Sequence, residues 1–268
     1  MKWAKFLYNG EVKYGFLEKE VVRVANLSWK DVLAGLTGQA TYELPLSSLK
    51  LLNPIDKPGK LVCIGLNYMD HIRETKGTPP AHPLIFTKFN TSMNDPGAAI
   101  EWSAELTSQV DYEAELAVII GKTTRHVAEA EALEYVTGYT CANDVSARDI
   151  QMGDGQWIRG KSLDTFCPLG PFFVTADDIP DPQSLAIRCT LNGKVMQDSN
   201  TREMIFSVAH LISFCSQAFT LEPGDVILTG TPHGVGMGRK PPVWMKNGDR
   251  VVVEVEKIGQ LENFCRVI

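Results

Sequence analysis

Leu185-Ala186-Ile187-Arg188-Cys189-Thr190-Leu191-Asn192-Gly193 reads as a strand closed by a turn dipeptide. The same grammar recurs on both sides of it. Further turn signals stand at Pro223-Gly224-Asp225 and Asn247-Gly248-Asp249, and strand-like runs at residues 172–175, 226–229 and 250–255. Short strands punctuated at regular intervals by Gly, Asn and Asp indicate a β-sandwich or barrel; alternating βα units would need long helical crossovers. The fold expected is mainly β, of the α+β class. Helices are few. Residues 207–219 read as one, with Ser207 as N-cap, and residues 127–136, rich in Ala, Glu and Leu, as a shorter one stopped by Thr137-Gly138.

The first fifty residues alternate apolar and polar positions around Asn9-Gly10, a strong signal for a two-residue hairpin, with a third strand-like run at residues 21–25. Asn53-Pro54-Ile55-Asp56-Lys57-Pro58-Gly59-Lys60 then packs two prolines and a glycine into a short stretch, as a linker does. The expected division is a small N-terminal β domain over residues 1–56 and a catalytic domain over residues 57–268. In the latter, residues 61–65, 84–88 and 115–120 read as core strands. The polar, Pro-containing segment between the first two reads as a flap.

The chain has 268 residues, 44% hydrophobic and 22% charged, which excludes disordered and fibrous classes. Lys plus Arg number 26 against 32 Asp plus Glu, a net charge of −6, so there is no basic footprint for nucleic acid. Six cysteines without a CxxC pair read as buried thiols of a reducing compartment. With no signal-peptide pattern and no membrane-length apolar stretch, the cytoplasm is the expected location and no membrane partner is expected.

The chemistry centres on Val110-Asp111-Tyr112-Glu113-Ala114-Glu115-Leu116. Carboxylates at i and i+2 on a strand share a face, and this strand runs straight into a core segment, so Glu113 and Glu115 face burial as a pair of anions. A divalent metal compensates them economically; a solvent-facing acidic edge is the plainer alternative. Asp144, in Cys141-Ala142-Asn143-Asp144-Val145-Ser146-Ala147-Arg148-Asp149-Ile150-Gln151, offers a third carboxylate where a strand gives way to a helix, or serves merely as a turn residue or N-cap. All-oxygen ligation suits Mg²⁺ first, with Mn²⁺ or Ca²⁺ as substitutes.

His71 precedes Glu74 by three residues in Gly65-Leu66-Asn67-Tyr68-Met69-Asp70-His71-Ile72-Arg73-Glu74. On a helix the two share a face, and the carboxylate would make the imidazole a stronger base with a fixed tautomer. A surface pair explains the spacing equally. Lys161, among small and apolar residues, is placed to stabilise an oxyanion or grip a carboxylate, and the loop Gly230-Thr231-Pro232-His233-Gly234 to bring N–H groups and the Thr231 hydroxyl to an anion, although a tight turn also accounts for that loop. His82, His126 and His210 lack neighbours at ligand spacing. No GxSxG, P-loop or GxGxxG opens a helix.

Taken in order, Gly65-Leu66-Asn67-Tyr68 with His71 and Glu74, Asp111-Tyr112-Glu113-Ala114-Glu115, Asn143-Asp144-Val145-Ser146-Ala147-Arg148-Asp149, Lys161-Ser162-Leu163-Asp164-Thr165 and Gly230-Thr231-Pro232 resemble the fumarylacetoacetate hydrolase family from about Lys60 to the C-terminus. The resemblance implies a β-sandwich roll around a distorted barrel, a homodimer, and metal ligands Glu113, Glu115 and Asp144. It further implies a water-activating dyad of His71 and Glu74 on a lid, with Lys161 offsetting charge and Arg148, Gln151 and Thr231 binding substrate. Lys88-Phe89-Asn90-Thr91-Ser92 departs from the pattern, many relatives having proline at its second position. The implied activity is metal-dependent C–C bond hydrolysis of a 2,4-dioxo acid of the acylpyruvate type to pyruvate and a carboxylic acid. The alternatives are 2-oxo acid decarboxylation, 2-hydroxy-dienoate isomerisation, or a catalytically silent binding protein.

Overall fold

Asn192 and Gly193 form the two-residue hairpin that the sequence announces: both have positive φ, 53° and 79°, and Leu191 pairs directly with Lys194. Asn9 and Gly10 do the same at 51° and 80°, closing Tyr8 on Glu11. Positive φ at both central positions gives the turn a twist that matches its flanking strands. The structure is a computed structural model that describes residues 1–268.

Two sheets carry the fold. The smaller has five strands in the order Lys194–Asn200, Ala186–Leu191, Arg250–Val255, Gly259–Val267, Ala99–Trp102. The larger has twelve; its main path runs Ala40–Pro45, Val21–Ala25, Glu11–Glu18, Lys2–Tyr8, Cys167–Thr175, Val136–Asn143, Ala114–Ile120, Val226–Leu228, Leu61–Gly65, Leu84–Thr87. The N-terminal strands therefore continue the main sheet, through Lys2 paired with Val174 and Trp3 with Phe173.

Ala114–Ile120 shows why a strand can be apolar on both faces. Leu116, Val118 and Ile120 enter the main core with Ile187, Val253 and Leu261, while Ala117 and Ile119 point the other way, into a second core with Trp3, Trp29 and Phe173. Both faces are covered, so from Leu116 to Ile120 the strand is apolar at every position, and its one polar residue, Glu115, sits at the end that enters the site. Each large aliphatic side chain so buried contributes roughly 1.5–3 kcal/mol.

The helices are short: α1 (Trp29–Leu33), α2 (Met69–Thr75), α3 (Arg148–Gly153), α4 (Ile158–Lys161) and α5 (Val208–Ala218). Ser207 caps α5 by accepting the His210 N–H. The helix expected over residues 127–136 is instead a 3₁₀ stretch, Glu129–Tyr135, and Thr137-Gly138 does not stop it but lies inside the strand Val136–Asn143. Gly138 is there for proximity: a Cβ would stand 2.3 Å from the Val174 oxygen and 2.5 Å from the Phe173 ring. The segment expected as a flap carries α2, whose start is fastened by a bridge between Tyr68 and Met204. All six cysteines are free and buried. No helix is long and apolar enough to cross a membrane.

Candidate active site

Glu113, Glu115 and Asp144 come together, each buried, with one ligand oxygen apiece all within 4.8 Å of one another. The route differs slightly from a simple i, i+2 pair on a strand. Pairing breaks at Tyr112-Glu113 between the strands Val110–Asp111 and Ala114–Ile120, so Glu115 projects from a strand and Glu113 from the break beside it. The Asn143 side-chain oxygen accepts the Glu113 N–H at 3.0 Å, and the Asp144 N–H donates to the Glu113 carbonyl at 2.9 Å, which fastens the two segments at the cluster. Asp144 is not the N-cap of α3, a place taken by Ala147; its side chain belongs to the cluster.

Three buried cations answer the acids. Lys161 Nζ donates to Glu113 Oε2 at 2.7 Å and Asp144 Oδ2 at 2.8 Å, and lies 5.2 Å from the centre of the Phe86 ring. Lys88 Nζ donates to Asp144 Oδ1 at 2.6 Å and to the Val145 carbonyl at 3.0 Å. Arg148 spans Glu113 Oε1 at 2.7 Å, Asp111 Oδ2 at 2.9 Å and Gln151 Oε1 at 3.0 Å. Lys88 thus works behind Asp144.

Four buried carboxylates, counting Asp111, face three buried cations. Burial raises Glu113, but the Lys161 and Arg148 charges outweigh it and hold that carboxyl well below its ordinary value. Glu115 goes the other way, pushed far up by burial and then by the Asp144 and Glu113 charges; its firmest partner is the Gly230 N–H on Oε2 at 2.8 Å. Burial depresses Lys161, yet Asp144 and Glu113 more than reverse this and raise it. An excess buried negative charge and a carboxyl that resists ionisation are what a hard dication would relieve, and the all-oxygen donor set fits one.

Two members of the acid cluster, Glu113 and Glu115, line a cavity of about 70 Å³. Glu113, Glu115, Arg148, Gln151, Lys161, Thr231 and His71 line it, together with Ile64, Leu66, Phe86, Met152, Trp157 and Met237. On α2, His71 Nδ1 meets Glu74 Oε2 at 3.3 Å, as the spacing predicts. Glu74 also accepts the Gly234 N–H at 3.1 and 3.0 Å on its two oxygens. Burial raises Glu74, but these bonds and the neighbouring histidines leave it below its usual range.

Thr231 lines the cavity with a hydroxyl already engaged, donating to the Ala114 carbonyl at 3.0 Å and accepting from Gln197 Nε2 at 2.8 Å. Arg148 is likewise bound to protein carboxylates, so both sit in the site as supports as much as contacts. The aromatic and thioether wall of Phe86, Trp157 and Met152, and Gln197 behind Thr231, escape a reading of spacing. Gln197 lies 83 positions from Ala114, whose N–H its Oε1 accepts at 2.9 Å. Leu66, at the cavity's edge, holds φ at 54°, an unfavourable backbone state for leucine that marks the strand-to-helix corner.

A family model described as "Fumarylacetoacetate (FAA) hydrolase C-terminal" matches residues 60–267, and one described as "Rv2993c-like, N-terminal" matches residues 1–54. The Rattus norvegicus protein named oxaloacetate tautomerase Fahd2a, mitochondrial, is 49% identical over 221 residues, covering 82% of this chain and 70% of its own. Among solved structures, a fumarylacetoacetate hydrolase from psychrophilic Exiguobacterium antarcticum superposes with a TM-score of 0.92 at 39% identity, covering 100% of each chain. A 2-hydroxyhepta-2,4-diene-1,7-dioate isomerase from Mycobacterium marinum gives 0.86 at 37% identity, covering 100% of this chain and 98% of its own. The mainly β architecture, the acid cluster beside a His–Glu pair and these likenesses along the whole chain agree: the chain belongs to the fumarylacetoacetate hydrolase family of enzymes.

Proposed function

We propose that the protein is a divalent-metal-dependent enzyme that moves a proton at the carbon beside the keto group of a 2-oxo acid, interconverting keto and enol forms, with oxaloacetate as the first candidate substrate. The observation that carries this is that the imidazole of His71, steered by Glu74, opens on the same small cavity as Glu113 and Glu115. The identity to the rat tautomerase supports the choice of substrate. A hard dication held by Glu113, Glu115 and Asp144, Mg²⁺ before Mn²⁺ or Ca²⁺, would take the substrate carboxylate and 2-oxo oxygen and draw electron density from the ketone.

The chain's own residues do the rest. Glu74 accepts the Nδ1 hydrogen of His71, which fixes the tautomer and leaves Nε2 as the base. Nε2 takes the proton from C3; the C–H electron pair becomes the C2=C3 double bond, and the former C=O pair moves onto the 2-oxygen. The imidazolium, held opposite an ionised Glu74, then returns its proton to that oxygen. Lys161 places positive charge beside the developing oxyanion. Gln151, whose oxygen is occupied by Arg148, is left with its amide hydrogens to donate to a substrate oxygen.

A second reading, hydrolysis of an acylpyruvate, is favoured by the apolar wall of Phe86 and Trp157, which stand edge to face at 5.3 Å and suit an acyl chain. In it the same dyad deprotonates water, the hydroxide adds to the distal carbonyl, and the bond from that carbon to C3 breaks, releasing the carboxylic acid while its electron pair passes into the enolate of pyruvate, which the imidazolium protonates at C3. One experiment decides: the Mg²⁺-loaded protein is given oxaloacetate and an acylpyruvate while enol absorbance, pyruvate and CO₂ are followed. Accelerated enol–keto equilibration without C–C cleavage supports the tautomerase; pyruvate from the acylpyruvate supports the hydrolase; CO₂ from oxaloacetate points to decarboxylation. No acceleration of any of them overturns the proposal.

A further inference from the structure

We propose that Asp111 is a positioning residue that holds the base and the acid cluster in one frame, an inference that rests on His71 being the base. Its carboxylate is wholly buried and accepts from four N–H groups. Oδ1 takes the Tyr112 N–H at 2.9 Å and the Gly236 N–H at 2.7 Å; Oδ2 takes the Met237 N–H at 3.0 Å and the Arg148 Nε–H at 2.9 Å, with a terminal Arg148 nitrogen in ion-pair contact at 2.8 Å.

Two arms leave this hub. Through Arg148 it reaches Glu113 Oε1 and Gln151. Through the strap of residues 234–238 it reaches the base, because the Gly234 N–H holds both oxygens of Glu74 and a Cβ on Gly238 would stand 3.0 Å from the Glu74 carboxyl carbon. Tyr112, next to Asp111, anchors the strap again by donating its hydroxyl to the Gly234 carbonyl at 3.1 Å. The fit leaves no slack: a Cβ on Gly236 would lie 2.6 Å from Asp111 Oδ1 and 2.0 Å from the Val243 oxygen. Only a carboxylate offers acceptors alone on both oxygens; an amide would turn a donor toward Arg148 or a strap N–H.

Asp111→Asn is therefore expected to lower kcat and weaken Mg²⁺ binding, each by about 10- to 100-fold, with a smaller change in KM. Single-arm variants separate the links. Gly238→Ala, which presses on Glu74, should lower kcat and leave Mg²⁺ affinity within about twofold; Arg148→Lys, which keeps the charge but loses the planar fork, should weaken Mg²⁺ binding. These two carry the test if Asp111→Asn does not fold. Calorimetric Mg²⁺ affinity and the ¹⁵N shifts of the His71 imidazole, which report its bond to Glu74, need no turnover. A parent protein inactive on every 2-oxo acid would sink the tautomerase reading and leave these two readouts to judge Asp111. Folded Asp111→Asn with parental Mg²⁺ affinity and unmoved His71 shifts would overturn the inference, as would Gly238→Ala and Arg148→Lys variants that affect both readouts alike.

Discussion

Two histidine–carboxylate pairs draw on the helix α2, and the tighter one is the less interesting. His233 Nδ1 lies 2.9 Å from Asp70 Oδ2, with the imidazole 43% exposed; His71 Nδ1 lies 3.3 Å from Glu74 Oε2, with the imidazole 9% exposed. The outer pair, with Ser199 donating to Asp70 at 2.5 Å, borders a wholly polar surface groove. The histidine of the inner pair lines a cavity that Glu113 and Glu115 also line. Hydrogen-bond length therefore does not mark the pair proposed to transfer protons. What marks it is exclusion of water together with charges across the cavity that make a proton transfer useful, since a base works only within reach of the group it deprotonates.

The contrast breaks most sharply at His71. His71→Ala should reduce kcat by about 10²- to 10⁴-fold while calorimetric Mg²⁺ affinity stays within about twofold; retained turnover would remove the imidazole from the mechanism. Next comes the support behind the acid cluster. Lys88→Met leaves Asp144 buried with one cation fewer, and urea unfolding in the presence of a chelator should show a loss of about 3–5 kcal/mol, with part of it restored by Mg²⁺ in excess.

A third test uses protons. Glu115 has its carboxyl raised, first by burial and then by Asp144 and Glu113, so in the metal-free protein it keeps its proton at pH values where an ordinary glutamate has lost it. The stabilisation that goes with a raised carboxyl is complete below the ordinary glutamate value and is lost as pH rises through the raised one. Metal-free protein should thus lose thermal stability as pH rises above the ordinary glutamate value, and Mg²⁺ should reverse the loss. Mg²⁺ binding should also release protons and tighten as pH rises, which calorimetry in two buffers of different ionisation enthalpy reads directly. The smallest effect belongs to the outer pair: His233→Ala should change stability by about 0–1 kcal/mol and kcat/KM by less than about threefold. A larger loss of activity there would erase the distinction between the pairs.

Much of the site is legible in the sequence because its parts are local. His71 and Glu74 lie one helical turn apart, and Glu113 and Glu115 adjoin a core strand, so spacing alone brings each pair together. Asp144 needs the strand Val136–Asn143 to deliver it, and Lys161 needs α4. Arg148 as a buried fork between Asp111 and Glu113, Lys88 behind Asp144, and Gln197 beneath Thr231 depend on contacts 34 to 83 positions apart, and a lone Lys or Gln carries no local pattern to betray them. The misread helix at residues 127–136 has a similar origin. Its composition favours a helix, but the next strand must start at Val136 to pair across the sheet, leaving room only for the 3₁₀ stretch.

By itself the sequence determined the strands and their hairpins, because Asn-Gly turns and apolar runs act over a few residues, and it determined the acid pair and the His–Glu step, because their members lie two and three residues apart. Only the tertiary structure decided which carboxylates share a centre, which cations are spent on them, and which of two His–carboxylate pairs meets a cavity. Those outcomes depend on desolvation and on distances between strands far apart in the chain, quantities that exist only once the two sheets have closed on their cores.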